Sequence, residues 1–164
     1  MFREMRRKKQ LLSQEESEKI LREARTAMLG LAGDDDYPYV VPINYAFVDG
    51  KFYFHGAKTG HKIDAIRRND KVSLCVVQHD ELVAEELTTY FRSVTVFGRA
   101  RILENDDEKL AAAQKFGMRF YPDKEKVDNE IRHEWDALCV VEITPEHITG
   151  KEAIELVRAR KAEK

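Results

Sequence analysis

The hydrophobic pattern predicts a series of β-strands in the first half of the chain. Apolar, aromatic and branched side chains fill residues 26–32 and 37–48, with a polar segment between the two runs. Asp49-Gly50 then separates the second run from residues 51–54, and this dipeptide is a strong local signal for a β-hairpin. The pattern therefore predicts consecutive antiparallel strands that pair with their neighbours in the chain.

Helical periodicity places helices before and between the strands. Ser13 and Glu16 form a capping-box pattern ahead of apolar residues at helical spacing, so a helix opens the fold. Residues 61–68 predict a short helix, and residues 106–120 and 124–135 predict two more.

The second half of the chain contributes further strands. Residues 71–78, 88–103 and 137–148 have the composition or alternation of β-structure, and Gly98 stands where a long strand would bend or bulge. Strands joined mostly by hairpins, with helices at the periphery, predict a mainly β fold built as a small antiparallel barrel.

Composition and charge narrow the classes of function. The chain has 164 residues, 43% of them hydrophobic, which predicts one domain (1–164) with a basic N-terminal arm (1–12) and a charged C-terminal tail (151–164). A net charge of -2 gives no general attraction to nucleic acid. No apolar run reaches the ~18 residues of a membrane span, and the basic start does not have the pattern of a secretory signal. We therefore expect a cytoplasmic protein that binds neither nucleic acid nor membranes.

The cysteines and most histidines do not suggest a metal site. Cys75 and Cys139 lie in apolar stretches without paired-ligand spacing, which predicts buried strand residues. His79, His133 and His147 share no ligand spacing either, so structural or surface roles are expected for them and no metal is predicted.

Residues 54–62 combine the features of an anion site. The segment ends a strand, contains Gly56 and Gly60, and leads into the helix 61–68, whose first N–H groups can bind an anion. Lys58, Thr59, His61 and Lys62 add charge and a hydroxyl to this segment. The spacing matches neither G-x-x-x-x-G-K-[ST] nor G-x-G-x-x-G, so the residues alone leave two interpretations open: a phosphate-binding loop, or a solvated turn in which Gly60 relieves strain.

Five segments, in order across nearly the whole chain, resemble the pyridoxamine 5'-phosphate oxidase-like flavoproteins. The nearest branch is the nitroimidazole-resistance (5-nitroimidazole antibiotic resistance) family. The segments are residues 5–10, residues 39–45, residues 54–57 with 60–62, residues 92–94 ahead of Gly98, and residues 148–152. The resemblance implies an FMN-binding split β-barrel that works as a homodimer, with the flavin at the subunit interface.

The same resemblance implies a set of flavin contacts on three strands and one loop. Along the isoalloxazine ring it places Pro42, Ile43, Asn44 and Tyr45. Beside the ribityl chain it places His55, Gly56 and Ala57, and around the phosphate it places Lys58, Thr59, His61 and Lys62. The next strand contributes Arg92 and Ser93, and Arg92 could offer paired donors to an anion or a carbonyl. Without the resemblance, Asn44, Tyr45 and His55 are better explained as structural residues.

The function implied by the resemblance is that of a flavin-dependent oxidoreductase. NAD(P)H would supply electrons through FMN to a small-molecule substrate, a nitroaromatic such as a 5-nitroimidazole, and the flavin rather than a protein nucleophile would carry the chemistry. Vitamin B6 synthesis is not expected, because pyridoxamine phosphate oxidase itself is longer, and its basic and histidine-containing segments for a second phosphate have no convincing equivalent after Gly150. Three alternatives remain on the same barrel: a non-catalytic flavin sensor or storage protein, a deazaflavin-binding relative and a haem-binding relative.

Overall fold

Seven strands form one antiparallel sheet in the computed structural model, which describes residues 2–162. In chain order the strands are β1 (Thr26–Ala32), β2 (Pro38–Asn44), β3 (Ala46–Val48), β4 (Lys51–Ala57), β5 (Lys71–Val83), β6 (Thr88–Ile102) and β7 (Leu138–Glu152). The helices are α1 (Gln14–Glu23), α2 (His61–Arg68), α3 (Asp106–Phe120), α4 (Lys124–Glu134) and α5 (Ile154–Ala162).

The order of the strands shows how the sheet closes. Across the sheet the order is β2-β1-β5-β6-β7-β4-β3, so β2 and β3 lie at opposite edges. Only Tyr45 separates these two strands in the chain, so the sheet must curl until its edges meet there. The result is a barrel, which confirms the predicted mainly β split-barrel fold.

The barrel remains open along one seam. β3 pairs with β4 only over Lys51–Tyr53, so residues 54–57 of β4 have no strand on that side. β2 pairs only with β1, and its other edge is also free. We call the gap between β2 and residues 54–57 of β4 the split.

Side-chain alternation in β4 separates two hydrophobic clusters. Phe52 and Phe54 point into the barrel, where they join Tyr45 and Leu29 in the main core. Tyr53 points the other way and packs in a smaller cluster beneath α3 and α4. The period of two in a strand thus puts the barrel core and the helix layer on opposite sides of the same three residues.

Local sequence signals match the structure closely in three places. The Ser13 hydroxyl accepts from the Glu16 amide, and the Glu16 carboxylate accepts from the Ser13 amide at 2.9 Å, which completes the capping box. Asp49 and Gly50 have φ of 53° and 74°, as a tight hairpin turn requires. The register shifts beside Gly98, where an added Cβ would lie 2.6 Å from the Thr144 oxygen, which confirms the predicted bulge.

Several strands extend further than their sequence pattern indicates. β4 continues through Gly56 to Ala57, β5 continues to Val83, and β7 continues to Glu152. β2, in contrast, ends at Asn44 and does not run on to residue 48. The polar residues in these extensions are held by pairing with the neighbouring strand, which a one-dimensional pattern does not reveal.

The two predicted terminal segments are largely ordered parts of the fold. In the arm 1–12, Gln10 and Leu12 are buried, and the Leu12 amide donates to the Gly150 oxygen at 3.0 Å. The charged tail 151–164 contains the end of β7 and helix α5. Its charge is compatible with packing because Glu152, which is fully buried, is paired with arginines. Residues 1, 163 and 164 lie outside the described residues. Between residues 2 and 162, no helix is long and apolar enough to cross a bilayer.

Candidate functional site

β2 and Tyr45, which directly follows it, form one lip of the split and present two kinds of residue. Ile43 and Tyr45 point into the barrel core and are buried, and the Tyr45 hydroxyl donates to the Leu21 oxygen at 2.9 Å. Pro42 and Asn44 face outward and are exposed. A ligand in the split could therefore meet Ile43 and Tyr45 only through their backbone, and Pro42 and Asn44 also through their side chains.

The Asn44 side chain already has partners in the protein. Its Nδ2 donates to the Arg25 oxygen at 3.3 Å and to Thr26 Oγ1 at 3.2 Å. These bonds tie the end of β2 to the start of β1 and leave the amide oxygen of Asn44 as the group directed elsewhere. Asn44 thus has the structural role that its sequence context suggested, and its oxygen is still available to a ligand.

Residues 55–57 of β4 form the other lip. The His55 ring meets the Phe116 ring edge-on at 4.6 Å, and packing of the protein around it, together with the Lys62 charge, lowers the pKa of His55. Gly56 lies close to Lys62, because a Cβ added there would be 3.7 Å from Lys62 Nζ. The lip thus combines a histidine whose pKa is lowered with a glycine that leaves room beside a lysine.

The start of α2 supplies free backbone donors at one end of the split. Gly60 has φ of 126°, a conformation that side chains disfavour, and its oxygen accepts from the Ile63 and Asp64 amides at 2.9 and 3.1 Å. The amides of His61 and Lys62 precede these bonds and have no acceptor within the helix. Two N–H groups at the positive end of α2 are therefore directed out of the helix.

The first two side chains of α2 connect the two lips. The His61 ring stacks on Tyr39 of β2 with centroids 4.0 Å apart and planes at 14°. Lys62 Nζ lies 5.4 Å from the centroid of the Phe54 ring of β4. The helix start therefore closes one end of the split and is positioned by both strands.

Two lysines at this end of the split have no carboxylate partner in the described part of the chain. Among residues 2–162, the ion pairs of α2 join His61 and Arg68 to Asp34 and Arg67 to Asp64, and none involves Lys58 or Lys62. Two lysines without a carboxylate, next to two free amides, form a donor set that suits a phosphate group. The residues present therefore fit the phosphate end of a phosphorylated cofactor.

A third lysine near this site was not identified from the sequence. Lys109 of α3 is buried, its Nζ donates to the Trp135 oxygen at 3.0 Å, and it lies 3.9 Å from the centroid of the Trp135 ring. Burial, with a smaller contribution from the Lys58 charge, lowers the pKa of Lys109. In the sequence, the single indication that Lys109 is not a surface residue is its position on the same predicted helix face as Ala113 and Phe116.

Arg92 and Ser93 do not line the split. They lie on β6, and β5 and β1 stand between β6 and β2, so three strand spacings, about 14 Å, separate them from the β2 lip. Arg92 Nε donates to Glu152 at 3.2 Å. Of the thirteen residues that the resemblance implied, eleven surround the split and these two lie elsewhere in the same chain.

The outward side of β2, β1, β5 and β6, which we call the outer face, carries exposed apolar side chains. Met28 pairs with Pro42 on one side and with Cys75 on the other, so these residues form one row across three strands. Apolar residues that are 40–60% exposed on this face are Met28, Val40, Val77 and Phe97. Ser93 lies on β6 at the edge of the same face, opposite Val77. An apolar surface of this kind typically contacts a partner.

The two cysteines and the potential metal ligands of residues 2–162 form no reactive arrangement. Burial raises the pKa of the Cys139 thiol, and Cys75 is half-buried on β5. In the part of the chain from residue 2 to residue 162, no group of three His, Cys, Asp or Glu side chains is placed to hold a metal ion.

Comparison with known proteins agrees with the geometry of the barrel. A family model described as pyridoxamine 5'-phosphate oxidase matches residues 13–152. An uncharacterized protein of Rhizobium meliloti (strain 1021) is 34% identical over 89 residues, which are 54% of this chain and 54% of that protein. The match thus spans about half the length of this curated relative.

Two solved structures share the fold. An FAD-binding protein from Mesorhizobium loti is 26% identical, with a TM-score of 0.67, over 87% of this chain and 96% of that chain. A candidate 5-nitroimidazole antibiotic resistance protein from Bacteroides thetaiotaomicron is 22% identical, with a TM-score of 0.71, over 87% of this chain and 86% of that chain. Because the family match runs from α1 to the end of β7, we conclude that this chain belongs to the pyridoxamine 5'-phosphate oxidase family.

Proposed function

We propose that this protein binds FMN in the split and acts as an oxidoreductase that reduces nitroaromatic compounds such as 5-nitroimidazoles with electrons from NAD(P)H. The observation that carries the proposal is the end of the split at α2. There, Lys58 and Lys62 lack carboxylate partners and the amides of His61 and Lys62 are directed out of the helix. Family membership and an FAD-binding relative with the same barrel support a flavin as the ligand.

The phosphate would lie against the start of α2. Lys58 and Lys62 would supply charge, the Thr59 hydroxyl can donate a further hydrogen bond, and the two free amides would bind phosphate oxygens. Gly56 leaves the space beside Lys62 that a ribityl chain needs to reach this position.

The isoalloxazine ring would lie along β2. The free edge of this strand offers backbone N–H and C=O groups at the spacing of an unpaired strand, and these can bond to the polar edge of the ring. Pro42 and the oxygen of Asn44 face outward at the same lip. The protein would thus fix the orientation of the ring mainly through the backbone.

We propose that the protein works as a homodimer with the flavin at the subunit interface. Met28, Val40, Val77 and Phe97 make the outer face apolar, and a second copy would cover them. Ser93 lies on this face, about 14 Å from the β2 lip of its own chain. A dimer built on this face could bring Ser93 of one subunit to the split of the other, which would explain why it lies far from the split of its own chain. Arg92, the preceding residue on β6, points to the opposite side of the sheet, toward Glu152.

We assign the residues of the chain no nucleophilic role in this chemistry. Burial raises the pKa of the Cys139 thiol and of the Tyr45 hydroxyl, and desolvation with the Lys62 charge lowers the pKa of His55. Bound flavin would supply the transfer of electrons from the nicotinamide donor to the nitro group. What the chain itself does is bind, orient and partly cover the cofactor.

The proposal is tested by flavin reconstitution followed by turnover. Purified protein is titrated with FMN, FAD, a deazaflavin and haem, and NAD(P)H oxidation is then followed with and without a 5-nitroimidazole. We expect tightest binding of FMN and oxidation that depends on the nitro compound. Tight FMN binding without turnover would make the protein a non-catalytic flavin binder. Preference for deazaflavin or haem would contradict FMN, and failure to bind any of the four would contradict the site itself.

A further inference from the structure

The split has a second end, opposite the start of α2, where Tyr45 joins β2 to β3. We call it the β3 end. The Arg25 oxygen there accepts from the Tyr45 amide at 3.1 Å and from Asn44 Nδ2 at 3.3 Å. Pairing of β3 with residues 51–53 of β4 closes the sheet at this end. Because the phosphate is assigned to the α2 end, an isoalloxazine ring beside Asn44 would lie at the β3 end.

Helix α3 is anchored on both sides of the β3 end. Lys115 Nζ donates to Asp49 in the turn between β3 and β4 at 2.8 Å. One helical turn later, Arg119 Nη2 donates to the Arg22 and Glu23 oxygens at 2.7 and 3.1 Å. These oxygens lie at the end of α1, a few residues before the segment that holds the β2 lip. The last turns of α3 are therefore fixed beside this end of the split.

Two phenylalanines directly follow these anchors in the chain. Phe116 and Phe120 are one helical turn apart, and their ring centroids are 5.0 Å apart with planes at 49°. Phe116 also meets the ring of His55, on the β4 lip, edge-on at 4.6 Å. Both phenylalanines are only half-buried. The pair therefore extends the β4 lip with an aromatic surface that is partly open to solvent.

Arg119 gives this aromatic surface a positive charge. Its guanidinium carbon lies 5.6 Å from the centroid of the Phe120 ring. Its hydrogen bonds within residues 2–162 go to two backbone oxygens rather than to a carboxylate. A positive charge beside aromatic rings suits a flat, electron-poor ring whose substituent has negatively charged oxygens. A nitroaromatic compound has both features.

We propose that Phe116 and Phe120 are specificity-determining residues that hold the ring of a nitroaromatic substrate at the β3 end of the split. This inference rests on the proposed function. The substrate would contact the pair edge-on or in an offset arrangement, which are the geometries that aromatic rings prefer. The pair favours nitroaromatic over saturated nitro compounds and makes no contribution to the affinity for FMN, whose contacts are assigned to β2, β4 and the start of α2.

The test measures the binding of two nitro compounds to the oxidised, FMN-loaded protein. One is a 5-nitroimidazole, and the other is nitrocyclohexane, which has a nitro group on a saturated ring. Binding is followed by the change in the flavin absorption spectrum, and kcat and KM for the 5-nitroimidazole are measured in parallel.

We expect Phe116→Leu and Phe120→Leu each to raise the Kd and the KM of the 5-nitroimidazole about three- to tenfold, because leucine stays apolar but removes the ring. The kcat, the Kd of FMN and the Kd of nitrocyclohexane should change less than about twofold, because the lost contact is made equally in the bound substrate and in the transition state.

Two further variants separate the ring from the folding of α3. Phe120→Tyr keeps the ring and should bind the 5-nitroimidazole as the wild type does. Tyr121→Leu is the matched control, because Tyr121 directly follows α3, is 64% exposed and stacks on no other ring within residues 2–162. It should leave both Kd values unchanged.

An unchanged Kd of the 5-nitroimidazole in Phe116→Leu and Phe120→Leu would overturn this inference while the proposed function stood. Equal losses for nitrocyclohexane, or a parallel loss of FMN affinity, would do the same, because the pair would then not select an aromatic substrate. A wild-type protein that binds FMN but no 5-nitroimidazole would overturn both the inference and the proposed substrate, and one that binds no FMN would overturn both the inference and the proposed function.

Discussion

Arg92 should stabilise the fold through Glu152, whatever its contribution to the flavin. Glu152 is fully buried and has two arginine partners, Arg92 Nε at 3.2 Å and Arg160 at 2.6 Å. Arg160 also donates to Glu16 of α1, so the buried carboxylate joins β6, α5 and the first helix. Arg92→Met removes one of the two charges that compensate Glu152 and keeps most of the volume of the side chain.

The expected loss follows from burial. Removing one partner of a fully buried ion pair costs about 3–5 kcal/mol. Arg92 is 38% exposed and Arg160 remains in place, so we expect a smaller loss of about 2 kcal/mol. For a domain of this size that corresponds to a decrease in Tm of about 4–8 °C.

The assay is urea denaturation of flavin-free protein, followed by circular dichroism. Arg99→Met is the matched control, because Arg99 is on the same strand and, like Arg92, pairs with carboxylate groups. Its partners are Asp70 and Glu146, and all three groups are well exposed. It should cost less than about 1 kcal/mol. Adding Glu152→Gln to Arg92→Met should recover part of the loss, because a neutral amide needs no counter-charge. Equal losses from Arg92→Met and Arg99→Met would refute this explanation.

Three further predictions concern the site and its surroundings. Lys62→Met should weaken FMN binding about tenfold or more without changing riboflavin binding or stability, since Lys62 has no carboxylate partner in residues 2–162. The control is Lys71→Met, because Lys71 is also unpaired in those residues, and it should leave the binding of both flavins and the stability unchanged. Equal effects of the two variants on FMN binding would contradict a phosphate at α2. Met28→Asp should dissociate the proposed dimer in sedimentation experiments, because it places a charge in the apolar outer face. A monomeric wild type would contradict an interface on the outer face. The lowered pKa of His55 means that protonation favours the unfolded chain, so the free energy of unfolding should fall as the pH drops below about 6.5. His55→Gln should flatten this dependence on pH. The same pH profile in the wild type and in His55→Gln would refute this role of His55.

Features that depend on a few neighbouring residues were predicted well. The capping box at Ser13, the turn at Asp49-Gly50 and the bulge at Gly98 each depend on local backbone chemistry, and each is present. The barrel followed from the succession of strands and from the family resemblance. The split itself is not a local property, because it requires β2 and β3 to lie at opposite edges of the sheet.

Features that depend on distant partners could not be predicted. A glutamate and an arginine in a charged terminal segment suggest solvent, and only the fold shows that Glu152 is buried between Arg92 and Arg160. In the same way, Lys109 resembles an ordinary surface lysine until α3 is placed against the site. The contact of Asp34 with His61 joins residues 27 positions apart, through a turn whose sequence indicates only polarity.

Binding of FMN by the intact protein is the most direct test of the proposal that the split holds a phosphorylated flavin. The absorption spectrum of purified protein is recorded before and after incubation with FMN and removal of free cofactor, and the flavin is then released by heat and identified. We predict the bands of oxidised flavin, release of about one FMN per chain, and loss of this retention in Lys62→Met. A protein that stays colourless after incubation with FMN, or that shows the Soret band of a haem, would contradict it.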